Sequence, residues 1–282
     1  MKFKIDRHVL LRPTSLLGLG VVALHLILAI GAPWIAPYDP TALMGGRIES
    51  PSAEFWMGTD ALGRDYLTRL LYGGRTALLA TFTGVVAAVS IGSVLGVAAA
   101  YFGGLFDDVM MRICELKLAL PGILFVALFV TGFGESMPTL IVLIGLVYFP
   151  GVVRIVRAQA LTQVNLGYVK AAQLRGESAL AVILREIYPN TLDVVYVEFA
   201  IRMSHAILLL STLSFLGLGI SPPTPDWGLM VSEGVAQIAY APWLVLAPAI
   251  FISTLVLGLN FGAEALASAL GMDATRGQVE GS

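Results

Sequence analysis

Three ionisable residues, Glu198, Arg202 and His205, lie within one long apolar stretch in the second half of the chain. The Glu and the Arg are four residues apart, in the order that favours an ion pair on one helix face, and the His follows three residues later. Charges are costly inside an apolar segment, so they commonly line a solute path or hold helices together. The sequence favours the two roles equally, and we expect Glu198 and Arg202 to pair.

Residue patterns for enzyme chemistry are missing from the sequence. A Walker A loop needs a Gly-Lys-Ser/Thr run, and neither Lys117 nor Lys170 nor the two N-terminal lysines fit one. No His/Cys group has the spacing of metal ligands. Serines such as Ser211 and Ser214 have no base nearby in sequence. We therefore expect no catalytic residue, no metal site and no bound cofactor in this chain.

The composition is that of a polytopic membrane protein. Of 282 residues, 57% are hydrophobic and 13% are charged, whereas a soluble domain has about a quarter charged residues. A net charge of -2 gives no reason to expect a nucleic-acid partner, and the lone Cys114 excludes an intrachain disulfide. The first apolar run is long enough to span and has a poor cleavage site, so it is not a good cleavable signal.

The apolar runs predict an all-α membrane protein with six transmembrane helices. Basic residues concentrate near the N-terminus, in the connection between the second and third spans and in the loop at 160–190, which predicts that both termini are cytoplasmic. His25 lies inside the first span, where a helix-packing hydrogen bond is favoured over a functional role. The predicted spans are 16–36, 76–101, 118–133, 139–156, 191–218 and 242–266. Thr14 or Ser15 is the expected cap of the first span.

The outer connections differ in length. A long outer loop follows the first helix, and its part 58–72 has apolar residues at near-helical spacing, which predicts a helix lying on the outer membrane surface. Asp60, Arg64 and Asp65 are expected to pair locally in that helix. A turn at 134–138 and a loop at 219–241 complete the outer side. Small residues at Gly92 and Gly96 predict a close helix contact for the second span.

The polar segment 168–190 is predicted to form two short helices around a glycine. Gly176 suits the left-handed conformation that ends a helix. Asn165 is the expected cap of the first helix and Ser178 that of the second, which Pro189 ends. Small and basic side chains then leave a positively charged hairpin that another surface can approach closely. From the residues alone, a docking element and an ordinary cytoplasmic loop are equally favoured.

The same segment resembles the EAA loop of ABC-importer permeases, in which Glu-Ala-Ala, three residues, a Gly and a hydrophobic run ending in Pro carry the coupling helix. Ala171, Ala172, Gly176 and Pro189 match that pattern, whereas Lys170 stands where the family usually has Glu. Further similar motifs are GTDALGRD, FGGLFDDVMMR and LSFLGLGISPPTPDWG. Together they resemble the C-type permease subunit of the dipeptide, oligopeptide and nickel branch, over nearly the whole chain.

The resemblance implies a type I ABC-importer permease fold and a set of partners. These are a second homologous permease, two ATPase subunits that bind ATP and Mg²⁺, a periplasmic or lipid-anchored solute-binding protein and the lipid bilayer. The implied location is the bacterial inner membrane. The implied ATPase-docking residues are Tyr168, Lys170, Ala171, Ala172, Leu174, Arg175, Gly176 and Glu177, and Glu198, Arg202 and His205 are candidates for the path or the inter-permease contact.

The expected organisation has four parts. Residues 1–15 form a cytoplasmic N-terminal segment, and 16–75 form the first transmembrane helix and the outer loop. Residues 76–268 form a five-helix permease core that contains the EAA-type loop at 160–190, and 269–282 form a flexible cytoplasmic tail. Because this organisation holds no ATP site, ATP hydrolysis is expected in the partner subunits.

Two alternatives remain from the sequence. Within the resembling branch, the solute is expected to be a dipeptide or oligopeptide, but nickel, a metal chelate, an opine or glutathione is also compatible. In a different class, an ion-gradient-driven secondary transporter would place acids near the midplane of the membrane. Glu198 is the sole acid well inside a predicted span, and Arg202 can neutralise it, which disfavours that class.

Overall fold

The computed structural model describes residues 7–271, so Lys2 and Lys4 of the N-terminal segment and most of the predicted tail lie outside the described residues. The regular secondary structure of that part of the chain is helical, apart from an isolated β-bridge between Thr59 and Asp65. Its α-helices are α1 Arg7–Leu10, α2 Pro13–Ile35, α3 Tyr66–Phe102, α4 Gly104–Ala119, α5 Gly122–Phe133, α6 Met137–Val164, α7 Gly167–Leu174, α8 Ala179–Ala181, α9 Leu192–Phe215, α10 Trp227–Gly234 and α11 Trp243–Ala269. Shorter turns of π and 3-10 helix are Val182–Ile187, Tyr188–Asn190 and Val235–Gln237.

Within residues 7–271, five helices are long and apolar enough to cross a membrane, and a sixth crossing requires a bent pair to count as one span. That pair is α4 and α5, which meet at 92°. The predicted third span is therefore wrong as a single straight helix. Pro121 cannot continue α4, and Leu120 before it is extended. The 12 residues of α5 reach about 18 Å, less than the hydrocarbon thickness.

The second span begins earlier than predicted. Residues 58–65 form a tight turn in which Gly58 and Gly63 have positive φ, so the predicted surface helix at 58–72 is wrong. Asp65 ends the turn and accepts a hydrogen bond from the backbone N–H of Thr68 at 2.7 Å. From Tyr66 the helix α3 continues for 37 residues, about 55 Å, so it extends well beyond a hydrocarbon core of about 30 Å.

The helices α3 and α6 pack closely through glycines of α3. A Cβ on Gly96 would lie 2.7 Å from the backbone oxygen of Val153, and one on Gly92 would lie 3.1 Å from Cβ of Val152. Gly84 extends the same contact two four-residue repeats further towards the start of α3, against Ile144. The predicted small-residue contact is therefore confirmed, and its partner is α6.

The first and last spans pack against each other. Nδ1 of His25 donates to the backbone oxygen of Val21 at 2.9 Å, and Nε2 lies 3.2 Å from Oγ1 of Thr254 in α11. The packing role expected for His25 is thus confirmed. The expected caps are wrong, because Pro13 already begins α2 and the Ser15 hydroxyl donates back to Val9 at 2.9 Å.

Two further boundaries differ from prediction. Asn190 does not cap α9, because its side-chain amide donates to the backbone oxygen of Glu186 at 2.7 Å. The last span continues through Ala269, into the predicted tail. The predicted loop at 219–241 also contains α10, which is capped by the side chain of Asp226.

The helix α10 is locked to the rest of the bundle by a buried tryptophan. Trp227 is almost fully buried, and its Nε1 donates to the backbone oxygen of Leu70 at 2.8 Å. Its ring lies against Gly73 and Gly74, where a Cβ would approach to 3.0 and 2.6 Å. Burial raises the pKa of the capping Asp226 to about 6. The first turns of α3 and α10 therefore form one packed unit.

Candidate functional site

The predicted hairpin is present and turns at Gly176. Gly176 has φ of +75°, the left-handed conformation expected from the sequence. Ser178 accepts a hydrogen bond from the N–H of Ala181 at 3.3 Å, which confirms it as a cap. Asn165 is not a cap, since it ends α6 and Leu166 precedes α7. The second arm runs from α8 into the π turn at Val182–Ile187, and Pro189 lies in the following 3-10 turn.

One face of the hairpin is anchored to this chain's own core. Val169 and Ala172 are fully buried, in one apolar cluster with residues of α3 and α6. Tyr168 is half-buried, its hydroxyl donates to Oε1 of Gln163 at 3.0 Å, and burial raises its pKa. The prediction that small side chains of the hairpin leave an approachable surface holds for Ala171, which is exposed, but not for Ala172, which is buried.

The other face of the hairpin is open. Leu174, the last residue of α7, is 89% exposed. Arg175 is paired with Glu177 at 2.6 Å and lies 3.9 Å from Glu186 of the second arm. Lys170 is exposed and forms no ion pair within the part of the chain that the structure describes. The tip thus offers an apolar side chain bordered by charged groups, an arrangement that suits an interface with an apolar centre and a polar rim.

The path candidates are partly brought together. Arg202 lies 2.8 Å from the Glu198 carboxylate through Nη2 and donates to it from Nε at 3.0 Å, as predicted. The guanidinium lies over the ring of Tyr148 at 5.9 Å and against Gly151, both in α6. His205 is exposed one turn further along and makes no hydrogen bond to either residue. The pair therefore joins α9 to α6, and His205 does not belong to it.

We expect Arg202→Ala to damage the protein more than the double change Glu198→Gln with Arg202→Gln. The Glu198 side chain is 7% exposed, and an orphaned buried carboxylate costs about 3 kcal/mol or more. The two amides of the double variant can still hydrogen-bond, and neither carries a charge. The amount of purified permease and its thermal midpoint measure the difference. A harmless Arg202→Ala would mean that the pair faces water.

A second ion pair joins the bent helix pair to α6. Arg157 of α6 binds both carboxylate oxygens of Asp107 in α4. A bidentate guanidinium–carboxylate pair fixes geometry better than a single contact. The sequence carried no signal for this pair, since its two residues are 50 positions apart.

At the opposite end of α3, four charged side chains form a cluster that sequence reasoning missed in part. Arg64 contacts Asp60 at 2.6 Å, and Arg69 lies 3.3 Å from Asp60 and 3.1 Å from Glu233 of α10. Arg64 and Glu233 are 3.8 Å apart. The predicted pairing of Asp60 and Arg64 is confirmed, but Asp65 is a helix cap instead. No local spacing relates residues 69 and 233, so the sequence carried no signal for this contact.

Comparisons with known proteins cover nearly all of the chain. Residues 92–271 match the family described as binding-protein-dependent transport system inner membrane component. Residues 10–51 match the N-terminal TM domain of oligopeptide transport permease C.

Individual relatives match the chain over most of their own length. The chain is 35% identical to the dipeptide transport system permease protein of Haemophilus influenzae, over 91% of this chain and 89% of that protein. It is 37% identical to the oligopeptide transport system permease protein of the same organism, over 90% and 82%. It is 34% identical to the glutathione transport system permease protein of Pectobacterium atrosepticum, over 92% and 87%.

Proposed function

The chain belongs to the binding-protein-dependent transport system inner membrane components, and from that premise we propose how it works as the permease subunit of an ATP-driven importer. It forms a solute path with a second homologous permease. The loop at 160–190 contacts the ATPase subunits and transmits their conformational change to the permease. The observation that carries the proposal concerns the hairpin. One of its faces packs in the bundle, and Leu174 at its tip is exposed to solvent. Membership of this family decides against the ion-driven alternative.

The anchored face is what would transmit a displacement. Beyond the apolar contacts of α7, the Tyr188 hydroxyl lies 3.1 Å from Oγ of Ser93 in α3. Gln173 lies 3.4 Å from the hydroxyl of Tyr101 near the end of the same helix. A packed element moves as a body because protein interiors are dense and deform little. Force applied at the tip therefore reaches α3 and, through the glycine contact, α6.

The bare tip is what would meet the ATPase. Exposed leucine is costly in water and favourable in an apolar groove, at about 25 cal/mol per Å² buried. Arg175 and its partner Glu177 border the leucine and supply the polar rim of such a contact. ATP and Mg²⁺ would be bound in the two ATPase subunits, where hydrolysis takes place.

Leu174→Asp is the test of this docking surface. The side chain is exposed, so the change leaves the bundle intact, but a carboxylate cannot enter an apolar groove without a partner. We expect ATPase subunits to be lost from the purified complex and solute uptake to fall at least tenfold. Leu174→Met keeps the apolar volume and should behave as wild type. Full ATPase retention in the Asp variant would contradict the proposal.

A second permease and lipid would cover the apolar surface that remains. The helix α5 buries Val126 and Val130, yet Ile123, Leu124 and Leu128 stay exposed. With the hairpin in the cytoplasm, both termini are cytoplasmic and the cluster around Arg69 is on the outer side, where a periplasmic or lipid-anchored binding protein would deliver the solute. The proposed location is the bacterial inner membrane.

The proposed solute is a dipeptide or oligopeptide. The relatives compared above are named for dipeptide, oligopeptide and glutathione transport. Glutathione is itself a modified tripeptide, so peptide-like solutes with free charged ends are common to the three. Nickel, a metal chelate or an opine remains the second candidate, with less support from these relatives.

A further inference from the structure

A cavity of about 530 Å³ lies at the end of the bundle opposite to the hairpin. It is bounded by the first turns of α3, the turn between α5 and α6, and the segment before α10. The hairpin contacts Tyr101, and Arg75 in the cavity precedes that residue by 26 positions, about 39 Å along α3. Under the proposed orientation, the cavity faces the outer side, where solute arrives.

The cavity holds one cationic and one anionic side chain that are not paired with each other. Arg75 is exposed and has no ion-pair partner among residues 7–271. Glu135 accepts a hydrogen bond from Oγ of Ser221 at 2.7 Å, which leaves most of its acceptor capacity free. By contrast, Arg64 and Arg69 nearby along the chain are both held by carboxylates. The charges of the cavity are therefore available to a ligand.

The two charges match the two ends of a peptide. A guanidinium binds a carboxylate through two parallel N–H donors, and a carboxylate accepts from an ammonium group. The rest of the wall is mixed: Leu79 and Met137 are apolar, and Thr76 carries a hydroxyl. A mixed wall of this kind can contact different side chains without selecting one. The volume lies within the range of about 300–1,000 Å³ that is typical of small-molecule sites.

We propose that this cavity is a binding site for the free ends of a short peptide, with Arg75 on the α-carboxylate and Glu135 on the α-ammonium group. This inference rests on the proposed peptide function and adds a site in the permease itself. The solute-binding protein would release the peptide to this site before the peptide crosses. Recognition of both ends, rather than of side chains, would let one permease carry many sequences.

The test measures uptake by the whole importer reconstituted with its ATPases and binding protein. The probes are L-alanyl-L-alanine, its C-terminal amide and its N-acetyl derivative. We expect Arg75→Gln to lower kcat/KM for the free dipeptide about tenfold, the size of a partly exposed charged hydrogen bond, and to leave that for the amide nearly unchanged. Glu135→Gln should likewise lower kcat/KM for the free dipeptide about tenfold and leave that for the N-acetyl derivative nearly unchanged.

The controls remove charges outside the cavity. Arg47→Gln and Glu54→Gln change exposed residues of the loop that follows α2, and they should alter none of the three rates. Each ratio compares permeases served by the same binding protein, so the preference of that protein cancels. If the binding protein rejects the blocked peptides, a charge exchange tested with the free dipeptide alone is used instead. The variant for this test is Arg75→Glu combined with Glu135→Arg. This double variant keeps both charges and should recover at least tenfold over either single reversal.

Each outcome decides the matter. Equal losses for all three probes, no loss, or no recovery in the double variant would overturn the site while leaving the peptide function in place. If the wild-type importer carries neither the free dipeptide nor a longer unblocked alanine peptide, the peptide function fails and the site fails with it.

Discussion

Replacing Arg69 with methionine is expected to lower the thermal midpoint of the purified permease by about 10 °C, since a loss of about 3–5 kcal/mol is typical of a broken buried pair. Arg69 is fully buried, and its guanidinium lies between Asp60 and Glu233. Methionine fills a similar volume without charge, so the loss of stability arises from the carboxylates that remain without this partner. Arg64 compensates Asp60 in part at 2.6 Å.

The matched control is Arg112→Met. Arg112 pairs with Glu115 at 2.9 Å, but its side chain is 80% exposed, and solvent-exposed pairs contribute little. Its midpoint should stay close to that of wild type.

A second comparison separates charge from packing. If orphaned charge is the cause, Arg69→Met with Glu233→Gln should recover part of the loss, because the double variant removes one uncompensated carboxylate. An Arg69→Met midpoint equal to that of Arg112→Met would mean that the cluster does not stabilise the end of the bundle opposite to the hairpin.

The spans were predictable because long apolar runs admit few alternatives in a membrane. Their boundaries were less predictable, because they depend on contacts from distant parts of the chain. The spacing of residues 66–72 is the same in a surface helix and in the first turns of a span. In the structure these residues are the first turns of a span, and Trp227 packs against Gly73 and Gly74 beside them. No signal in the sequence predicted that contact.

The same limit applies to the charged groups. Glu198 and Arg202 were paired correctly because four residues on one helix are a local relation. Arg69 and Glu233 are 164 residues apart, and their contact follows from the position of α10. Pro121 favours a break, but the predicted span at 118–133 runs through it. A proline also sets no direction for the next helix, so the 92° bend could not be derived.

The turn of the hairpin could be predicted from the sequence, whereas the side chains that face the core could not. Gly176 and Ser178 act through their own backbone and side chain, so their roles could be read from local sequence. Whether Ala171 or Ala172 faces the core depends on the register of α7 against α3 and α6, which sequence alone does not give. The docking role of the surface is a proposal that rests on that register.

Gly176→Val is expected to abolish uptake while the permease still inserts into the membrane. The residue has φ of +75°, a region that costs a residue with a Cβ about 1–2 kcal/mol and a β-branched one more. A Cβ there would meet no atom of the described chain within 4 Å. The strain therefore lies in the backbone alone, and its relief would turn Leu174 away from its present position.

Gly176→Asn is the control that isolates this cause. Asparagine adopts the left-handed conformation more readily than other residues with a side chain, so the turn should survive and uptake should stay near the wild-type rate. If Asn were as harmful as Val, the glycine would instead be needed for close approach to an ATPase. The measurement is solute-stimulated ATPase activity of the reconstituted complex, which we expect Val to reduce at least tenfold. Normal stimulation in the Val variant would remove the docking role from the loop at 160–190, because that turn joins both arms of the hairpin.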